Sequence, residues 1–252
     1  MTGDKQYHLE TSEGDLAEHC LLVGSPERAT MIAETYFEDV HKVGHHRGLL
    51  SYTGLYEGMP ISVVTTGMGG PSVGIVLPEA VRSGARRFIR VGSCSALWAN
   101  PKPGDVAIVT AAVRLDGASL NWAPIQYPAV ADYRIVTALE KAAEDLNKRH
   151  FVGIEATTDD FNEGQARPDD MGYIPERLRQ THDELVQRGV LCYSMESAAI
   201  FVWCATHGGM RCGTINAIYG NRVTNEFAVC GEEAASEIAL RAMKALADKY
   251  PL

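Results

Sequence analysis

Short apolar runs alternate with longer amphipathic stretches along most of the chain. The run at 20–24 is continuously apolar and ends in Gly24, which predicts a buried strand. Pro26 then marks the start of an amphipathic helix, because proline suits the first turn of a helix. The same alternation predicts further strands at 87–92, 104–110, 150–158 and 212–219, and helices at 131–148, 175–189, 195–207 and 232–249.

Residues 40–66 follow a different pattern, in which short β-rich runs are separated by glycines. Gly48, Gly54 and Gly58 interrupt these runs, which predicts antiparallel strands joined by tight turns. A glycine-rich segment at 67–72 then leads into an apolar helix. Strands that alternate with helices predict a layered α/β domain, with helices on both faces of a largely parallel sheet.

Composition narrows this prediction to a single domain that is not a nonspecific nucleic-acid binder. The chain has 252 residues, of which 46% are hydrophobic, and no linker or repeat divides it, so we expect a single domain over 1–252. The net charge of −9 disfavours nonspecific binding to nucleic acid, so an anionic ligand needs a local cationic cluster. Residues 1–15 are polar without an apolar signal core, and no run is long enough to span a membrane. We therefore expect a cytoplasmic protein without a membrane partner.

The cysteines and histidines show no metal-binding pattern. The six cysteines contain neither a CxxC pair nor the histidine spacing of a zinc site, so we expect reduced and mostly buried thiols. His45 and His46 are adjacent, but no cysteine or carboxylate cluster accompanies them at a recognisable spacing. We expect neither a metal nor a cofactor.

Three arginines stand beside predicted turns or strand ends: Arg28, Arg47 and Arg90. Arg90 ends an apolar strand, where an unpaired guanidinium is costly, so an anion or carboxylate partner is expected. Gly24 permits backbone amides to approach a phosphate, the helix that follows it adds a favourable dipole, and Ser93 adds a hydroxyl donor. Any one of these arginines alone is explained by a structural carboxylate, but their joint placement favours an anion site.

Two glycine-containing segments are poor matches to common catalytic motifs. The segment 67–72 lacks the last glycine of a GxGxxG fingerprint, because Ser72 occupies that position, which disfavours a Rossmann dehydrogenase. The turn 92–95 lacks the flanking glycine of a nucleophile elbow. We interpret Cys94 as a small packing residue.

The segment 161–167 contains a pair of side chains that can read a flat heterocycle. Gln165 offers an acceptor and a donor, and Arg167 offers a planar fork of donors. On extended backbone, residues two apart project to the same side, so both can address uracil while Phe161 lies against its face or the sugar. The alternative is a polar surface turn around Gly164.

Donors and acceptors also surround the apolar helix 195–207. Glu196 is placed in its first turn, where a carboxylate either interacts with the helix N-terminus or accepts hydrogen bonds from vicinal ribose hydroxyls. Asn221 and Arg222 add donors at the carboxyl end of the strand 212–219. Together with the arginines, these residues suggest separate regions for phosphate, ribose and base.

With these motifs in place, the chain closely resembles the uridine phosphorylase branch of the nucleoside phosphorylase family. The resemblance runs through YHL at 7–9, TGMGGPS at 66–72, VRLDGAS at 113–119, YPAVAD at 127–132 and MES at 195–197. The pattern of Phe161, Gly164, Gln165 and Arg167 is its most specific part. The resemblance implies a three-layer α/β/α fold with a mixed, largely parallel central sheet.

The resemblance also implies roles for individual residues. Phosphate would be bound by Gly24, Arg28, Arg90 and Ser93, with Arg47 donated by a neighbouring subunit. Ribose would be bound by Met195, Glu196 and a neighbour's His8. The base would be bound by Phe161, Gln165, Arg167, Tyr219 and Arg222. Catalysis would depend on Arg28, Arg90, Gln165 and Arg167. Shared sites imply at least a homodimer, and we expect a hexamer.

The implied reaction is reversible phosphorolysis of uridine to uracil and ribose 1-phosphate, with inorganic phosphate as co-substrate. Purine-specific relatives carry an aspartate where 220–222 reads Gly-Asn-Arg, which favours a pyrimidine here. The chain departs from the usual family pattern at Gly48, Cys94, Ser95 and Ser194, and at the pair 162–163. A purine or broad-specificity phosphorylase, a nucleosidase, and a noncatalytic nucleoside-binding paralogue remain the alternatives.

Overall fold

A computed structural model of the chain describes residues 5–252, which form one large β-sheet flanked by helices. The strands are β1 (His19–Val23), β2 (Glu38–His46), β3 (Leu49–Tyr56), β4 (Met59–Thr65), β5 (Arg87–Ala96), β6 (Val106–Leu115), β7 (Ala129–Val130), β8 (His150–Thr158), β9 (Cys192–Ser194) and β10 (Arg211–Asn221). The α-helices are α1 (Pro26–Tyr36), α2 (Gly70–Arg82), α3 (Tyr133–Asp145), α4 (Glu176–Gln187), α5 (Ser197–Thr206) and α6 (Glu232–Lys249). Two short 3₁₀ turns lie at Ser119–Asn121 and Glu163–Gln165.

The sheet is mixed and partly closed on itself. From one edge it runs β2, β3, β4, β1 and β5, and the β2–β3–β4 part is antiparallel as predicted. Strand β5 then pairs with β10 in parallel and with β9 in antiparallel orientation. Strand β10 also pairs with β6, β6 pairs with β8, and β8 pairs with β9, so these four strands and β5 form a closed ring. Strand β7 pairs with β6 and is not part of the ring.

Helices cover both faces of the sheet. Along β1 the side chains alternate: Leu21 packs with the core under α1, α3 and α6, whereas Leu22 packs with the core under α2 and α5. Both faces of β1 are therefore buried, which explains why its sequence is continuously apolar. The expected three-layer α/β/α architecture with a mixed sheet is confirmed.

The segment 92–95 is not the loop that its small residues suggest, and that prediction is wrong. Strand β5 continues through it to Ala96, since its backbone is paired with β10 and finally with β9. Arg90 consequently lies in the middle of the strand and not at its end. Strands β7 and β9, with two and three residues, are too short to produce a recognisable alternation.

The thiols are free, as expected, and five are buried while Cys230 is exposed. Burial raises the pKa of the Cys20 thiol well above its usual range. Among residues 5–252 no helix combines the length and the apolar character needed to cross a membrane.

Candidate active site

A cavity of about 580 Å³ lies where β1, β4, β5 and β10 end or approach their ends. The loops after β8 and β9 complete its wall. It brings together most of the predicted site residues: Gly24, Arg28, Arg90, Ser93, Phe161, Gln165, Met195, Glu196 and Tyr219. Side chains from six different strand ends and loops thus converge on one space.

Arg28 is held in the first turn of α1 at one end of the cavity. The side chain of Ser25 caps this helix by accepting a hydrogen bond from the Arg28 backbone amide. The guanidinium donates to the Val91 carbonyl oxygen at 3.1 Å and to the Tyr219 hydroxyl at 2.8 Å. It also pairs with the Glu232 carboxylate, with Nη2 and Oε1 2.5 Å apart. Arg28 lines the cavity and is fixed by hydrogen bonds from all three of its guanidinium nitrogens.

Glu232 is a site residue that the sequence pattern did not indicate. It is the first residue of α6, and its carboxylate accepts hydrogen bonds from Arg28 and from the Tyr219 hydroxyl. Burial opposes ionisation of this carboxyl, but the bonds from Tyr219 and Arg28 and the Arg28 charge together lower its pKa. Burial, with the nearby Glu232, raises the pKa of Tyr219 to about 12. At neutral pH the phenol is therefore a hydrogen-bond donor, and its hydroxyl points to the arginine end of the cavity.

Arg90 and Glu196 form a buried ion pair on the floor of the cavity, with 5% and 4% of their surfaces exposed. The expectation of an anionic partner for Arg90 is confirmed, since Nη2 donates to the Glu196 carboxylate. Nη1 donates to Asn216 Oδ1 at 2.7 Å. Glu196 is the N-cap residue of α5, although its side chain makes no capping bond. Its carboxylate also accepts from the Gly69 amide at 2.8 Å and the Met195 amide at 3.3 Å. A carboxylate has about four acceptor positions, so Glu196 retains room for a hydrogen bond from a sugar hydroxyl.

The far end of the cavity is formed by the loop after β8. Its backbone is not extended as predicted: Gln165 ends a 3₁₀ turn, and Ala166 has a left-handed φ of 53°. This turn nevertheless brings the predicted pair together, because Arg167 Nη1 donates to Gln165 Oε1 at 2.7 Å. Arg167 also donates to Ser95 Oγ at 3.0 Å, and its guanidinium carbon lies 4.0 Å from the centroid of the Phe161 ring. The three side chains form one unit.

Arg222 lies behind this loop and outside the cavity wall. Its guanidinium donates to the carbonyl oxygens of Gln165, at 2.6 Å, and Ala166, at 3.0 Å. It thus supports the loop backbone, and its role in contacting the base stays a prediction.

Burial and the Arg222 charge lower the pKa of Arg167 to about 10, which leaves Arg167 cationic at neutral pH.

His8 and Arg47, which are expected to serve a neighbouring subunit, lie away from the cavity of their own chain. His8 Nδ1 is 2.8 Å from Glu79 Oε1, and the same carboxylate accepts hydrogen bonds from the His8 and Leu9 amides. Arg47 is exposed in the turn between β2 and β3, with a φ of 54°. Their contribution to another subunit stays a prediction.

Two exposed apolar side chains at the cavity rim, Phe227 and Val229, were also missed by the sequence analysis. They lie between β10 and α6, and Phe227 forms a β-bridge with Gly220. Their segment has no helical or strand period, so only the fold places it over the cavity. With Phe161 they provide an apolar border around the polar pair Gln165 and Arg167.

The fold and the cavity define a class of α/β protein in which buried arginines, a carboxylate and an amide side chain line one cavity. A sequence profile of the phosphorylase superfamily matches residues 18–249. The chain is 42% identical over 243 residues to a uridine phosphorylase of Thermococcus kodakarensis, covering 96% of this chain and 87% of the relative. It is 36% identical over 229 residues to a uridine phosphorylase of Escherichia coli, covering 90% of each. A guanosine phosphorylase of Halorubrum lacusprofundi is 33% identical over 220 residues, covering 87% and 85%. The chain belongs to the phosphorylase superfamily.

Proposed function

We propose that this protein catalyses the reversible phosphorolysis of uridine to uracil and ribose 1-phosphate. The observation that carries the proposal is the arrangement of one cavity: its lining includes Arg28, Arg90 and Gln165. Arg167 lies behind this lining and is hydrogen-bonded to Gln165 and Ser95. Glu196 adjoins Arg90 and supplies an acceptor for a ribose hydroxyl. The relatives from Thermococcus kodakarensis and Escherichia coli, which are uridine phosphorylases, support the same substrate.

In this reaction a phosphate oxygen attacks the anomeric carbon while the bond from that carbon to the uracil nitrogen breaks. The bonding electrons leave with uracil as a delocalised anion, so no paired carboxylates of the glycosidase type are needed. Arg28 and Arg90 position the phosphate beside the positive charge that develops on the sugar. Arg167 and the Gln165 amide stabilise the negative charge that accumulates on the uracil oxygens.

The second candidate is a purine nucleoside, because one relative is a guanosine phosphorylase. The amide and guanidinium groups at the base end fit the alternating oxygens and nitrogen of a pyrimidine edge. Uridine is therefore the preferred substrate, with guanosine and inosine as the purines to compare.

The proposal includes an assembled enzyme in the cytoplasm. Arg47 and His8 would reach from one subunit into the phosphate and ribose regions of the next, which requires at least a dimer, and we expect a hexamer. The monomer supports this arrangement in one respect: Arg47 is exposed on a turn and forms no salt bridge within the described residues.

The test is an assay of base release from uridine, thymidine, inosine and guanosine, with and without inorganic phosphate. We expect uracil and ribose 1-phosphate in equal amounts, only when phosphate is present, and slower cleavage of both purine nucleosides. Base release without phosphate would identify a nucleosidase. Calorimetric binding of uridine without any product would identify a binding protein.

Glu232→Gln is expected to lower KM for phosphate by about fivefold, because removing one unit charge from a partly solvated anion site is worth roughly 1 kcal/mol. The carboxylate and phosphate compete for Arg28, whose bonds to Val91 and Tyr219 remain in the variant. Initial rates at varied phosphate concentration measure the effect. Glu233→Gln removes a charge from the next, exposed residue of α6 and should leave KM unchanged. A higher KM in Glu232→Gln would show that Glu232 positions Arg28 instead.

A further inference from the structure

A further carboxyl group, that of Glu155 in β8, is buried behind the cavity-lining residue Ser194 and has no part in the reaction described so far. It is 0% exposed and accepts three hydrogen bonds from side chains of three strands. Ser194 and Thr157 donate to Oε1, the latter at 3.0 Å, and Asn216 Nδ2 donates to Oε2 at 2.8 Å. Burial of an acidic group is costly unless such partners are present.

Burial away from water is the largest influence on the pKa of the Glu155 carboxyl. Burial raises the pKa of its carboxyl, and the hydrogen bond from Ser194 and the charge of Arg90 oppose that rise. A leucine would fill this position in the core without that desolvation cost. The presence of a carboxyl group at this position therefore needs an explanation, which we seek in the side chains that it orients.

Asn216 connects Glu155 to the catalytic arginine. Its side-chain amide donates to Glu155 through Nδ2, and its Oδ1 accepts from Arg90 Nη1 at 2.7 Å. An asparagine amide can lie in either of two orientations, which exchange its donor and its acceptor. The reversed orientation would place the Asn216 donor against the Arg90 donor and the Asn216 acceptor against the Glu155 oxygen. The acceptor on Glu155 thus selects the orientation that serves Arg90.

The backbone beside this connection is that of Gly92, and the Arg90 guanidinium occupies the space where a side chain would begin. A Cβ atom at Gly92 would lie 1.4 Å from Arg90 Nη1 and 2.4 Å from Asn216 Oδ1. Glycine at this place allows the guanidinium and the amide to meet against the strand. On the other side Glu196 pairs with Nη2, so Arg90 is oriented by one contact at each terminal nitrogen.

We propose that Glu155 is a positioning residue for phosphate binding, which acts through Asn216 to orient the Arg90 guanidinium. This inference rests on the proposed function, because phosphate is taken as the anion that Arg90 binds. Glu155 contacts neither phosphate nor nucleoside. What it contributes is an acceptor oxygen, which glutamine can supply and leucine cannot.

The first part of the test compares Glu155→Gln with Glu155→Leu in phosphorolysis. Glu155→Leu is expected to lower kcat/KM for phosphate by about a hundredfold, the effect of a small misplacement in a preorganised site, with most of the loss in KM for phosphate. Glu155→Gln is expected to stay within about threefold of the wild type, because its carbonyl oxygen can accept from Asn216. Equal impairment of both variants, or of neither, would overturn the proposal.

The second part removes the connection itself. Asn216→Leu is expected to raise KM for phosphate as Glu155→Leu does, and the double variant should be no worse than Asn216→Leu alone. Additive losses, or an unchanged KM in Asn216→Leu, would contradict the proposal even if Glu155→Leu fails to fold. Thr214→Val is the matched control, because its buried hydroxyl bonds only to Ser197, at 3.2 Å. It should reduce thermal stability without raising KM for phosphate.

The wild-type enzyme separates this inference from the proposed function. Phosphate-dependent cleavage of uridine by the wild type supports the function, whatever the variants do. If the wild type cleaves no nucleoside, calorimetric titration with inorganic phosphate still tests the inference. Weaker binding by Glu155→Leu and near-normal binding by Glu155→Gln would support it, and equal binding by all three proteins would overturn it.

Discussion

Replacing Arg90 with alanine is expected to lower kcat/KM for phosphorolysis by about a thousandfold, the upper effect of removing one preorganised donor from a charged site. Arg90 is nearly buried on the cavity floor and presents its charge in a region of low dielectric constant. Its loss would remove the proposed phosphate contact and would also leave the Glu196 carboxylate without its cation. Both effects oppose the approach of phosphate.

The measurement for Arg90→Ala is a set of initial rates at varied phosphate and uridine, together with thermal unfolding. Breaking a buried ion pair costs about 3–5 kcal/mol of stability, so the variant should be assayed well below its melting temperature. Added guanidinium ion should restore part of the activity, because it can occupy the space of the deleted side chain. Arg179→Ala, which removes an exposed arginine from α4, is the control and should behave as wild type. Unchanged kcat/KM in Arg90→Ala would exclude Arg90 from phosphate binding.

Arg167→Ala is expected to reduce kcat by about a hundredfold or more while the protein stays folded, because a donor to the leaving group acts mainly in the transition state. Arg167 contacts only Phe161, Gln165 and Ser95 through hydrogen bonds, and it forms no salt bridge within residues 5–252. Its removal therefore leaves no buried carboxylate unpaired. Near-normal uracil release by this variant would contradict the base-end assignment.

A nucleoside with a better leaving group tests whether Arg167 stabilises the departing base. 5-Fluorouracil is a stronger acid than uracil and leaves more readily as an anion, so it needs less stabilisation. The loss of rate in Arg167→Ala should consequently be smaller for 5-fluorouridine than for uridine. A loss of equal size for both substrates would indicate that Arg167 positions the nucleoside without stabilising the departing charge.

Local sequence patterns were sufficient to predict two parts of the site, the junction of β1 and α1 and the pairing of Gln165 with Arg167. The apolar run before Gly24 and the proline at position 26 predict the junction of β1 and α1, and both elements begin within one residue of the expected place. The motif at 161–167 predicts that Gln165 and Arg167 act together, and they are hydrogen-bonded. Each of these features depends on residues close in sequence, whose spacing is visible in the chain.

Features that depend on distant residues could not be predicted. Glu232 reaches Arg28 across 204 positions, and Asn216 reaches Arg90 across 126, so no spacing rule connects them. The small residues at 92–95 resemble a loop because nothing local reveals that two other strands pair with them. The left-handed residue at 166 is alanine, which gives no signal for such a turn.

The ring of strands also has a consequence for how the protein reaches its active form. Strand β5 must pair with β10, which follows it by more than a hundred residues, before the floor of the cavity exists. Contacts between such distant segments form late and slowly, because a long loop must first be closed. During synthesis the first strands and helices can assemble early, whereas Arg90 gains its Asn216 partner only after the last strand emerges from the ribosome. Catalytic competence is therefore a late event of folding, and a chain truncated before β10 would be inactive however well its N-terminal half folds.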